Sequence, residues 1–352
     1  MNKPKERKVY IEFLRIVAIY MVLFTHTETR GFYLFKLAQG SVLYPFYLFN
    51  SIFIMIAVPL FLMASGVVLL GKEESLKHIV TVRFLRFGIV LLVASAIDYC
   101  YMCLLHTPQE MSLSRFLRQL YCSEHSTLWY LYMYLAYILM LPFLRCLAKA
   151  MTEREYVWMF LMYGAMQFLF IFDYLISQGS WSHNGNFSFF ITADYVFYPL
   201  MGYFIDQKLE EKHFSKRNLL ILTLASFAAV GICCIMTHYK YTLVGGWDYC
   251  ETFFKTLCFL PTVTVFYGTK YWFQQHSLPN RINSLIITLG STTFGLYLIE
   301  RICRDETAKL HDYLAPYIRT LPACWVWTAV ACCVGMTVIY FIKKIPGVRK
   351  FI

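Results

Sequence analysis

Ten apolar stretches dominate the chain, and no other feature limits its fold so severely. They run over about 10–28, 46–70, 87–105, 128–147, 156–177, 187–206, 218–237, 252–272, 282–302 and 322–342. Each is close to the ~20 residues with which an α-helix crosses a hydrocarbon core. Composition agrees: 59% of the 352 residues are hydrophobic and only 15% charged, whereas soluble domains average about 45–50% and 25%. Ten helices would use roughly 200 apolar-rich positions and leave only short tails and loops. Disorder is excluded, and no room remains for a sizeable soluble domain. The expectation is an all-α polytopic membrane protein, one domain over 1–352, with ten transmembrane helices.

The second stretch is long enough to tilt, and Pro59 is placed to kink it. Lys3, Lys5, Arg7 and Lys8 precede the first stretch as in a signal peptide, but Glu12 and Arg15 interrupt it. No small-residue cleavage site follows, so it reads as a retained helix. Basic residues set the orientation. With the N-terminus inside, the cytoplasmic segments hold 21 Lys and Arg and the opposite segments hold 9. Both termini are therefore expected in the cytoplasm, with 301–321 as the dissenting segment. The net charge of +11 marks membrane orientation, and nothing points to nucleic acid. Most of the twelve cysteines fall in apolar stretches, Cys233–Cys234 and Cys332–Cys333 among them. The Cys100/Cys103 pair has no second pair beside it, so these thiols read as small hydrophobes and no metal site is expected. No phosphate-binding glycine loop, dinucleotide fingerprint, zinc-protease motif or internal repeat is present.

Ionisable groups inside a span are costly and default to functional candidates. The first stretch carries Glu12, Arg15, His26 and Glu28. Eleven positions separate Arg15 from His26, which is about 16 Å along a helix and about 20° from facing the same way. The plain alternative is that Arg15 snorkels inward while His26 caps the helix at the outer interface. On the inner side, Arg83 and Arg86 share a helix face at the expected start of the third span. Two guanidiniums near N-terminal amides suit a phosphorylated ligand, and an ordinary positive-inside flank is the competing reading. On the outer side lie Glu124, His125, Trp129, His183, Asp194 and Glu300. Any of the acids could partner His26. Asp98 and Asp173, near span ends, read as structurally paired or wetted.

These residues together resemble acyltransferase family 3. Arg15, ten intervening residues and His26 resemble that family's first-helix signature. The segment AVPLFLMASGVVLL resembles its second span, with Pro59, Phe61, Ser65 and Gly66 in matching places. Arg83 and Arg86 look like its cytoplasmic Arg-x-x-Arg. The segment STLWYLYMYLAYILMLPFL, with Trp129 and Pro142, is similar to its fourth span, and Ser291–Glu300 to its ninth. The likeness runs from about residue 8 to 340. Two places depart from it. Thr127 stands where the family often has His, with His125 two positions earlier, and Glu300 stands where the ninth span often ends in His.

The resemblance implies O-acyl transfer, usually of acetyl, from cytoplasmic acyl-CoA to a sugar hydroxyl of a surface polysaccharide or lipid-linked precursor. It implies a bacterial inner (plasma) membrane location, and the short tail after the last stretch leads to the expectation of a stand-alone member without an added soluble domain. Arg15, Arg83 and Arg86 would hold the phosphates of the CoA donor. His26 would act as general base or transient acyl carrier; Glu300, standing where the family often has His, is one carboxylate that could partner it. Trp129, Glu124, His125 and Asp194 would contact the acceptor. A homo-oligomer is compatible with the sequence. The rival expectations are a transporter or flippase of a lipid-linked sugar, or a non-catalytic component of a polysaccharide assembly complex. A transporter would place its site at the membrane midplane, where these stretches carry almost no charge.

Overall fold

The computed structural model describes residues 8–106, 111–122, 127–180, 182–184, 186–187, 189–246 and 250–351. It is 81% helix, and no strand occurs among the described residues. The main helices are α1 (Val9–Thr25), α2 (Tyr44–Leu69), α3 (Leu76–Leu105), α4 (Leu113–Cys122), α5 (Trp129–Ala150), α6 (Glu153–Ser177) and α7 (Asp194–Tyr203). They continue with α8 (Lys216–Val244), α9 (Phe259–Gln275), α10 (Asn280–Gly290), α11 (Thr293–Leu298), α12 (Glu300–Ile318) and α13 (Thr320–Ile342).

Six of these are long and apolar enough to cross a membrane: α2, α3, α5, α6, α8 and α13. The bent pair Asn280–Leu298 and Glu300–Ile318 makes a seventh when taken as one broken span. The other stretches read from the sequence form shorter helices. α1 and α9 have 17 residues each, and α7 has 10 before a π-helical turn over Phe204–Lys208. Local signals set several helix ends. Thr152 and Glu155 form a capping box at the start of α6, which satisfies amides that have no partner within the helix. Ser215 accepts from the Asn218 amide before α8. α2 breaks at Met55–Ile56, where Pro59 can offer no N–H to the carbonyl four residues back.

The chain divides into two compact units, one of Met1–Gly71 with Leu144–Ile287 and one of Lys72–Phe143 with Thr288–Ile352. In the first, α2 packs on both α1 and α7, and α8 packs on α9. The α2–α7 crossing is built on glycines at both sides. A Cβ added to Gly66 would lie 1.9 Å from the Pro199 carbonyl oxygen, and one added to Gly202 would lie 2.2 Å from that of Met63. Only hydrogen at these positions lets the two backbones meet, the small-residue device of membrane helix pairs. Aromatic stacking fills the neighbouring core. The Tyr163 and Phe197 rings stack at 3.8 Å between centroids, and Tyr156 stacks on Phe204 at 4.7 Å. Buried Arg145 donates from Nε to the Leu69 carbonyl at 3.1 Å, so a cation closes the C-terminal end of α2.

In the second unit, α12 and α13 form a hairpin joined by Arg319 alone, whose φ of 70° reverses the chain. Trp327 Nε1 donates to Thr307 Oγ1 at 3.0 Å across it. The expected ninth span, 282–302, is not one straight helix. It bends by 94° at Ile299. From Glu300 onward the sequence turns polar, and the bend lets its charges find partners. Arg301 pairs with Asp98 of α3 at 3.3 Å, Arg304 pairs with Asp305 at 3.1 Å, and Tyr101 donates to Glu306 at 3.0 Å. Arg301 and Arg304 of the 301–321 segment thus belong to a packed, ion-paired helix.

Candidate functional site

The first unit holds the α1 candidates. Glu12 is buried on the first turn of α1, and Arg15 Nη1 lies 3.1 Å from its Oε2, an i, i+3 pair. Arg15 is thus oriented by its own helix. His26 is the C-cap residue of α1, with its amide on the Leu23 carbonyl at 3.2 Å, and its side chain is half-buried. Below it Thr27 is buried and ties the end of α1 to the following turn. Its Oγ1 donates to the Phe24 carbonyl at 2.7 Å and accepts from the Phe32 amide at 3.0 Å. Glu28 then takes a left-handed φ of 49° and is exposed. The capping position anticipated as the plain alternative for His26 is the one it occupies. A cap held this firmly gives an imidazole a defined location.

Asp194 opens α7 and accepts a hydrogen bond from Tyr163 Oη at 2.7 Å. Its carboxylate is exposed and the tyrosine buried, so the core tyrosine orients the acid. Asp173 and His183, seen singly in the sequence, come together. The Asp173 Oδ2 accepts from the His183 amide at 3.0 Å and lies 2.5 Å from His183 Nδ1. The first unit also contains a cluster that sequence reading missed. Asp206 lies 2.5 Å from Lys8 Nζ and accepts from Tyr10 Oη, while Lys270 Nζ donates to the carbonyls of Ile205 and Asp206 at 2.7 and 3.0 Å. No spacing signal joins these positions, because Lys8 and Tyr10 lie 198 and 196 residues from Asp206 in the chain and Lys270 lies 64 away.

The second unit holds the paired arginines, and here one expectation is corrected. Arg83 and Arg86 do not stand at a helix start. α3 begins at Leu76 behind the Ser75 cap, so Arg83 is about 10 Å further along the axis and the first-turn amides are not beside it. Of the four basic residues in 71–86, Lys77, Arg83 and Arg86 lie within the helix. Arg83 lies in a π-helical stretch over Ile79–Phe84, a local widening that is frequent at functional sites. Its guanidinium is gripped by Glu74, with Nε to Oε2 at 2.8 Å and Nη2 on Oε1, a two-point pairing. Arg86 differs. Its Nε is buried and has no hydrogen-bond partner among the described residues, and the guanidinium carbon lies 5.8 Å from the Phe87 ring. A buried N–H of a cation with no acceptor is costly, and an anionic oxygen would satisfy it. Of the pair, Arg86 is the open donor and Arg83 is held in place by a carboxylate.

Glu300 is fully buried at the first position of α12, with Arg304 Nη1 3.9 Å from its Oε2. Within its own unit its charge faces an arginine one turn on. Trp129 begins α5, partly exposed, with its ring against Tyr130 in an edge-on contact of 6.4 Å. Glu124 and His125 lie outside the described residues. Among those described, no group of three His, Cys, Asp or Glu side chains could hold a metal ion.

A comparison with curated proteins and one with solved structures give no match. A family model described as an acyltransferase domain, that of acyltransferase family 3, matches residues 8–344. The match takes in both units and the residues of α1, α2, α3 and α5 on which the likeness was first seen. The chain belongs to acyltransferase family 3.

Proposed function

We propose that this membrane acyltransferase moves an acyl group, acetyl in the first instance, from cytoplasmic acyl-CoA to a sugar hydroxyl. The acceptor is a surface polysaccharide or its lipid-linked precursor, and the protein sits in a bacterial plasma membrane with both termini inside. The observation that carries the donor half is the buried Arg86 Nε, which has no acceptor among the described residues and suits a phosphate oxygen. Arg83, pre-oriented by Glu74 in the same unit, would add a second contact to the donor's phosphates.

His26 takes the role of general base. Its imidazole accepts the proton of the acceptor hydroxyl as that oxygen attacks the thioester carbonyl. The C–S bond breaks, the new ester forms, and the departing thiolate takes up the proton. An imidazole suits the task because its ordinary pKa of about 6.5 lies near working pH. Asp194, in the unit that holds His26, serves the acceptor sugar by hydrogen bonds to its hydroxyls.

Mass spectrometry of surface glycan tests the reading. A deletion strain loses one acyl group, the wild-type gene restores it, and His26→Ala does not, although the variant protein reaches the membrane. Normal acylation with His26→Ala would overturn the catalytic assignment.

A further inference from the structure

Helix α4, Leu113–Cys122, joins the membrane-spanning helices α3 and α5, and its two sides differ completely. Leu113, Phe116, Leu117, Leu120 and Tyr121 fall within one arc of its circumference, and Ser114, Arg115, Arg118 and Gln119 fall on the other. Leu113, Leu117 and Tyr121, spaced one turn apart, are 72%, 51% and 90% exposed. Arg115 and Arg118 are exposed as well, and the helix contains no acidic residue.

Its depth is set by contacts to both spans. Tyr99 Oη donates to the Ser112 carbonyl at 3.2 Å and accepts from the Ser112 amide at 3.0 Å, and the Tyr99 and Phe116 rings meet at 5.6 Å. Gln119 reaches Asp98 at 3.5 Å, and Tyr132 Oη donates to the Leu120 carbonyl. Tyr132 is three residues into α5, about 5 Å from its start, and Asp98 and Tyr99 lie about 10 Å from the end of α3. An element tied at these levels lies beside the end of one candidate span and the start of the next.

We infer that α4 is an interfacial helix that binds the phosphate-bearing headgroups of bilayer lipids. Leu113, Leu117 and Tyr121 enter the acyl boundary, while Arg115 and Arg118 meet lipid phosphates. Charge complementarity selects this occupant: a positive face bordering a bare apolar stripe is the pattern of helices that lie in the membrane plane. The inference rests on the chain being a membrane protein and is independent of which acyl transfer it performs. The consequence for the second unit is a mechanical link, since Gln119, Asp98 and Arg301 connect the lipid-bound helix to α12.

The test uses the full chain reconstituted in phosphatidylcholine vesicles containing phosphatidylglycerol. An environment-sensitive fluorescent amino acid replaces Leu117 or, separately, Ser114. The probe at Leu117 is quenched several-fold more strongly by lipids carrying a nitroxide near the headgroup than by aqueous iodide, and the probe at Ser114 shows the reverse. Equal iodide quenching at both positions overturns the inference. So does loss of the Leu117 protection at one protein copy per vesicle, which would identify a second copy as the occupant. Phosphatidylglycerol retained by the purified protein falls about fivefold for each arginine removed in Arg115→Gln and Arg118→Gln. Unchanged retention in the double variant, with its thermal stability unaltered, refutes the phosphate contact.

Discussion

Replacing Gly66 with alanine adds a single methyl group where the structure has no space for it. The new Cβ would lie 1.9 Å from the Pro199 carbonyl oxygen and 2.6 and 2.7 Å from the carbonyl carbon and Cα of the same residue. Ordinary contact begins at 3.4 Å, so α7 would have to retreat from α2 by about 1.5 Å at the crossing. All three opposing atoms are backbone, and no side-chain rotation relieves them. Retreat would also loosen the Gly202–Met63 approach on the same interface. Overpacking of this kind costs about 1–3 kcal/mol, and the backbone-on-backbone geometry puts Gly66→Ala at the upper end. Alanine returns about 1 kcal/mol through its better helix propensity, leaving a net loss of about 2 kcal/mol. Gly231 in α8 is the control, because a Cβ there meets nothing within 4 Å, and Gly231→Ala keeps only the propensity gain. Thermal unfolding of the purified, detergent-solubilised proteins should therefore place Gly66→Ala below wild type and Gly231→Ala at or above it. Equal midpoints for the two variants would refute the close-contact argument.

Two further predictions follow from the second unit. Asp98→Asn leaves Arg301 without its carboxylate; both side chains are largely buried, at 7% and 12% exposure. Breaking a buried pair from one side costs about 3 kcal/mol, read as a lowered unfolding midpoint, and an unchanged midpoint would mean the pair contributes no net stability. Glu74→Gln loosens the two-point grip that orients Arg83, so KM for acyl-CoA should rise several-fold, as it should in Arg86→Gln. Opposite or null changes in KM would place the donor elsewhere.

How much of this was legible in the sequence depended on the range of each interaction. The helices at 128–147, 156–177 and 322–342 were readable because apolarity is a local property, and their observed ends lie within a few residues of those expected. The Arg15–His26 spacing and the Arg83–Arg86 pair were also readable, since both lie within one element. The environment of Arg83 and Arg86 was misread. An apolar run marks where lipid begins and cannot show that the helix extends about three turns further, as α3 does. The amphipathic α4 was in plain view, but a search for long apolar runs passes over a ten-residue helix. The 94° bend at Ile299 carried no proline to announce it, and the Asp98 that meets Arg301 beyond it lies some 200 residues earlier in the chain.

The sequence by itself determined that this protein is helical, belongs in a membrane, and carries the residue pattern of an acyltransferase family. Those properties follow from side-chain hydrophobicity and short spacings. The tertiary structure alone decided which charges are engaged and which stay open. Glu74 claims Arg83, Asp206 gathers Lys8, Tyr10 and Lys270, and Gly66 meets Pro199. Each of these pairings depends on where the backbone returns after a turn, and a lone ionisable residue in a membrane helix gives no sign of the partner that will reach it.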